Sequence, residues 1–96
     1  MSRKAVIFNI RDNVATALSD LKSGDRVECN VEDRNTVTVL AENIPFGHKF
    51  SVGAIKSGAP VIKYGETIGI ALKDINPGDY VHVHNVASAR GRGDLV

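Results

Sequence analysis

Apolar and polar positions along this chain change period over short distances, and each change marks an element. Lys4–Asn9 (KAVIFN) is a short apolar run rich in β-formers, which predicts a buried strand. Across Arg11–Gly24 the period lengthens. Val14, Ala17, Leu18 and Leu21 fall at i, i+3, i+4 and i+7, one face of a helix, with Asp12 suited to its N-cap and Gly24 to its end. Alternation then sets in, with Val27, Cys29 and Val31 set against polar neighbours in Arg26–Glu32, followed by Asn35–Ala41. The turn residues of Glu32–Asn35 make this pair a predicted hairpin. In the second half, glycines separate four apolar runs: Phe50–Val52, Val61–Lys63, Ile68–Leu72 and Tyr80–Val86. Short strands at this spacing predict a mainly β fold with one helix in the N-terminal half.

A weak internal repeat accompanies the strands. The pattern apolar-x-x-Gly-x-x-Val appears as LKSGDRV (Leu21–Val27), IKSGAPV (Ile55–Val61) and INPGDYV (Ile75–Val81). In each, a turn with a central glycine delivers the chain into a strand, and Pro77 presets the third turn. The unequal periods exclude a solenoid. After Val86 the sequence ASARGRGDLV offers little to bury, so one domain over residues 1–86 and a flexible basic tail over 87–96 are expected.

Composition narrows the function classes. Ninety-six residues with 43% hydrophobic and 24% charged side chains suit one small globular domain. A net charge of +1 gives no electrostatic reason to expect nucleic acid. No apolar stretch is long enough for a membrane span or a signal peptide, so a soluble cytoplasmic domain is expected. The single cysteine, Cys29, lies on the apolar face of its strand and is assigned to packing.

The candidate chemistry lies in two stretches, which hold all three histidines. In DYVHVHNV a strand would put Tyr80, His82 and His84 on one face and Val81, Val83 and Asn85 on the other. The valines would then seat the strand on a core while His82 and His84 converge on a metal ion or an anion. His48 lies in IPFGHKF. Neutral imidazole suits iron(II), manganese(II) and zinc.

IPFGHK, VIKYGETIG, KDINPGD and VHVHN occur in this order over Ile44–Asn85, and DNVATALSDLKSGD precedes them. Together they resemble the SAF domain of the altronate and galactarate dehydratase family, in a stand-alone small-subunit form. The resemblance implies a β-clip fold of short, folded-over strands with one helix. It also implies a hydro-lyase acting on a hexonate or hexarate sugar acid with a divalent metal, iron(II) or else manganese(II). The metal would sit on His82, His84 and His48, and a separate large catalytic subunit would complete the enzyme. In such a site His48 and Tyr64 are candidate proton-transfer groups, and Lys49, Lys63, Arg90, Arg92 and Asn85 are candidate substrate-binding groups.

Other assignments stay open for several of these residues. Lys63 also reads as an exposed strand residue, Tyr64 as a rim aromatic, and Asn85 as the residue that orients His84 or caps the turn. Two other functions stay open as well: the small subunit of a sulfolactate sulfo-lyase, and a non-catalytic SAF module that binds a ligand or partner. Self-association into a homo-oligomer is compatible with any of them.

Overall fold

Four glycine turns hold the strands of this protein in place. In the computed structural model, which describes residues 3–88, each of these turns closes the same way. The N–H groups of Asp25, His48, Ala59 and Asp79 donate to the carbonyls of Lys22, Pro45, Lys56 and Asn76 at 2.9–3.0 Å. The residue before each donor is Gly24, Gly47, Gly58 or Gly78, with φ of 89°, 84°, 86° and 91°. This is the positive φ that the third position of a type II turn requires. Three of the turns are the repeats seen in the sequence. The fourth is IPFGHKF, Ile44–Phe50, which follows the same spacing but ends in phenylalanine instead of valine.

The turns pack in pairs. Leu21 bridges to Ile44 and Ile55 to Ile75, both antiparallel, and all four side chains are buried. In each pair, an acceptor placed just before one bridging residue takes the N–H at the second position of the opposite turn. Asp20 accepts from Phe46, Asn43 from Ser23 and Asp74 from Ser57, each at 2.9 Å. The fourth slot lacks both groups. Ala54 has no acceptor there, and Pro77 has no N–H to leave unpaired.

Among the described residues, nine strands connect these brackets: β1 Ala5–Val6, β2 Val14–Ala17, β3 Arg26–Val31, β4 Arg34–Val39, β5 Lys49–Ser51, β6 Pro60–Lys63, β7 Glu66–Ala71, β8 Tyr80–Val81 and β9 Val86–Ser88. They form three antiparallel sheets, ordered β1-β2-β5-β8, β3-β4 and β6-β7-β9. One core gathers Leu21, Val27, Ile44 and Phe50 from the first pair of turns. The second gathers Ile55, Val61, Ile75 and Val81 from the other pair. Gly69 lets β9 lie close against β7, since a Cβ there would stand 2.6 Å from the Ala87 carbonyl oxygen.

The mainly β class and the β3–β4 hairpin agree with the sequence reading, and Cys29 is buried in the first core. The predicted helix over Arg11–Gly24 does not form. β2 occupies its centre, hydrogen-bonded to β1 on one side and β5 on the other, with Val14, Ala15 and Ala17 all buried. Leu18, which the helical stripe would turn inward, is 41% exposed. A short strand covered on both faces is apolar at consecutive positions, and in a small window that run mimics a helical period. Lys4–Asn9 contributes only the two residues of β1. β9 runs through Ala87 and Ser88, and the rest of the expected tail, with Arg90 and Arg92, lies outside the described residues. Among the described residues no helix is long and apolar enough to cross a membrane.

Candidate functional site

The site grows from the pairing of β5 with β8. Their antiparallel register matches Lys49 with Val81 and Phe50 with Tyr80, and one further step sets His48 opposite His82. The His48 and His82 rings lie 5.2 Å apart between centroids. Cross-strand neighbours at this spacing share one ligand-sized space.

The predicted strand Tyr80–Val86 is interrupted. β8 ends at Val81, residues 82–85 form a turn, and β9 begins at Val86. Asn85 makes this turn. Its buried amide accepts from the His82 N–H at 3.0 Å and donates to the Tyr80 carbonyl at 2.8 Å, and its own N–H reaches the His82 carbonyl at 3.1 Å. The Asn85 side chain is thereby committed to backbone groups, and what it gives the site is the position of His82. Val83, expected to seat the strand on the core, is instead 77% exposed at the tip of the turn.

Bending the chain back at residues 82–85 gathers the histidines around one phenol. The Tyr80 ring stacks on His82 with centroids 5.5 Å apart and planes 16° apart. It meets His84 edge-on at 5.7 Å and His48 edge-on at 5.5 Å. The Tyr80 hydroxyl lies 2.5 Å from Nδ1 of His48. Its backbone is held from both sides, because its N–H donates to the Glu42 carboxylate at 3.0 Å and its carbonyl takes the Asn85 amide. The candidate residues drawn from the sequence did not include Tyr80. The signal was present, since Tyr80 has the same strand parity as His82 and His84.

One lysine adjoins the cluster, and the charge of a second acts on it. Lys49, next to His48, is half-buried, and its ammonium pKa is pushed down, first by burial and second by the nearby charge of Lys63. A cleft of about 280 Å³ runs between Lys49 and His82, with Ser88 and the apolar side chains of Ile68, Val81 and Val86 in its walls. Its cationic and imidazole groups beside apolar walls suit a small carboxylate with a carbon skeleton.

Lys63 leads to a separate aromatic patch. Its Nζ lies 5.2 Å from the Tyr64 ring and 5.6 Å from the Phe8 ring, and these two rings stack at 4.3 Å. Tyr64 therefore belongs with Phe8 and not with the histidines. It sits at φ 57°, a left-handed conformation that costs a non-glycine residue about 1–2 kcal/mol. The carboxylate of Asp12, 1% exposed, holds it there. Oδ2 accepts the N–H groups of Phe8, Asn9 and Tyr64 at 3.0–3.2 Å, and Oδ1 accepts that of Gly65 at 2.8 Å. Asp12 is thus no helix cap; it ties the β6–β7 turn to the loop after β1.

As a donor set for a metal ion, the cluster is partial. Imidazoles suit iron(II) and manganese(II) chemically. Among the described residues, however, no three His, Cys, Asp or Glu side chains converge as one ligand set. Any ion held here takes at most part of its shell from these residues.

Fold and site together define a small all-β domain that presents histidines and lysines on an open surface. The chain belongs to the family of the altronate/galactarate dehydratase SAF domain, matched over residues 3–89. It is 51% identical to an altronate dehydratase of Escherichia coli over 74 residues, which cover 77% of this chain and 14% of that enzyme. It is also similar to proteins named as (2R)-sulfolactate sulfo-lyase subunit alpha. The identity is 37% in Chromohalobacter salexigens (62% of this chain, 63% of the relative) and 46% in Paracoccus pantotrophus (50% and 72%). The chain thus spans about one-seventh of the altronate dehydratase and well over half of each alpha subunit.

Proposed function

We propose that this chain is the small subunit of a sugar-acid hydro-lyase of altronate dehydratase type, completed by a large catalytic subunit. The observation that carries the reading is the Tyr80-centred histidine cluster beside Lys49, on a domain that matches one-seventh of an altronate dehydratase. Converting a 2,3-dihydroxy acid to a 2-keto-3-deoxy acid removes the proton next to the carboxylate and expels the neighbouring hydroxyl.

In this reading Lys49 and Lys63 hold the substrate carboxylate, where the apolar walls of the cleft strengthen the charge contact. Arg90 and Arg92 would add bidentate contacts from the C-terminal segment. His82 and His84 hold a divalent ion, iron(II) or else manganese(II), together with ligands from the large subunit. When bound, such an ion acts as a Lewis acid toward the carboxylate and 2-hydroxyl. His48 serves as a further ligand or as a group facing the oxygen that gains or loses a proton. The open surface does not exclude water, so the chain by itself turns over negligibly.

Co-expression with a candidate large subunit tests this directly. The assembled pair should convert a hexonate to a 2-keto-3-deoxy acid, and a His82→Ala, His84→Ala pair should lose both iron(II) binding by calorimetry and turnover. A complex that ignores hexonates and hexarates would refute the reading. A second reading, the small subunit of a sulfo-lyase, is favoured by the larger share of the alpha subunits that this chain matches. Release of sulfite from sulfolactate by the same complex would decide for it.

A further inference from the structure

The contact between Tyr80 and His48 fixes more than a ring position. Nδ1 of His48 and the Tyr80 hydroxyl are 2.5 Å apart, and only one of them needs to supply the proton between them. A phenol, with an ordinary pKa of about 10, is a far stronger acid than the N–H of a neutral imidazole. The phenol cannot easily turn away. Its ring is stacked on His82, and its backbone is tied to Glu42 and Asn85.

We propose that Tyr80 donates its hydroxyl proton to Nδ1 of His48, so that the neutral imidazole carries its own proton on Nε2. Nε2 then has no lone pair for a metal ion. Any hydrogen bond His48 gives to a carboxylate or enediolate oxygen then comes from Nε2–H, and metal ligation falls to the other imidazoles. Tyr80 is a positioning residue, acting through His48 and not on the ligand. The part given to the ligand oxygen rests on the reading of the chain as a lyase subunit; the tautomer does not.

The test is a long-range proton–nitrogen correlation spectrum of the full ¹⁵N-labelled chain without metal, at about pH 8.5, where imidazole is ordinarily neutral. We expect a single His48 form with the proton on Nε2, an Nδ1 resonance shifted as for a hydrogen-bonded acceptor, and a slowly exchanging Tyr80 hydroxyl proton. Tyr80→Phe keeps the ring stack and the fold, which the amide spectrum checks. It should return Nδ1 to the position of a free acceptor and lose the hydroxyl signal. His48 protonated on Nδ1 in the wild-type chain would overturn the proposal, and so would an Nδ1 resonance that Tyr80→Phe leaves in place. If Tyr80→Phe unfolds the chain, the wild-type spectrum decides alone. A complex without dehydratase activity would refute the lyase reading and leave the tautomer result standing.

Discussion

Replacing Asp12 with alanine should do more damage than its modest size suggests. The side chain is 1% exposed and its carboxylate takes the N–H groups of Phe8, Asn9, Tyr64 and Gly65. A hydrogen bond to a charged acceptor contributes roughly 1.5–3 kcal/mol, and a buried donor left without a partner costs about 1–3 kcal/mol. All four amides lie in surface turns where water can partly replace the lost acceptor, so each loss falls near the low end, about 1 kcal/mol. That gives about 4 kcal/mol, a large share of the roughly 5–15 kcal/mol that holds a small domain together. The assay is equilibrium unfolding in urea, with amide hydrogen exchange of Tyr64 and Gly65 alongside. In Asp12→Ala both amides should exchange markedly faster, because they lose their acceptor even though the β6–β7 pairing and the Phe8 stack still support the turn. A loss below about 1 kcal/mol, with those amides still protected, would refute the assignment of Asp12 as the clamp of this turn.

Thr16 makes the opposite case. Its hydroxyl oxygen is buried with no hydrogen-bond partner among the described residues, so Thr16→Val, of matching shape, should leave stability unchanged or raise it by up to ~1 kcal/mol in the same urea assay. The turn brackets predict a conditional effect. Asp74→Ala should cost about 1 kcal/mol, whereas Ala54→Asp should gain nothing until Pro77→Ala restores an N–H for it to accept, a coupling that a double-mutant cycle measures. Lys49 predicts a pH dependence. A bound carboxylate offsets both causes of its lowered pKa and returns it toward the ordinary 10.5, so the complex binds more protons than the free chain. Affinity for a hexonate should therefore fall as pH rises from the lowered pKa towards 10.5. Lys63→Met should move the start of that fall to higher pH, as calorimetry across the pH range would reveal.

Local rules in the sequence were enough to define the turns, because a type II turn depends on a few adjacent residues. Glycine in Leu21–Val27, Ile55–Val61 and Ile75–Val81 meets a positive φ, and Pro77 stands where its fixed φ fits. The β3–β4 hairpin was legible for the same reason, since alternation and its turn residues are contiguous. The histidine stretches also stood out, because three imidazoles in two short motifs are conspicuous without any fold. Tertiary structure decided the rest. It made a strand of Val14–Ala17, because partners on both sides and cover on both faces outweigh a four-residue helical match. It paired the turns across the chain, which no single turn encodes. The bend at Asn85 is a local turn, closed on His82 and Tyr80 three and five residues back, which the strand-like alternation of Tyr80–Val86 masked. That bend, with the β5–β8 register, converts a predicted pair of outward-facing histidines into a cluster centred on Tyr80. The physical reason is range: turn and alternation signals act over a few residues, whereas the site joins side chains more than thirty positions apart.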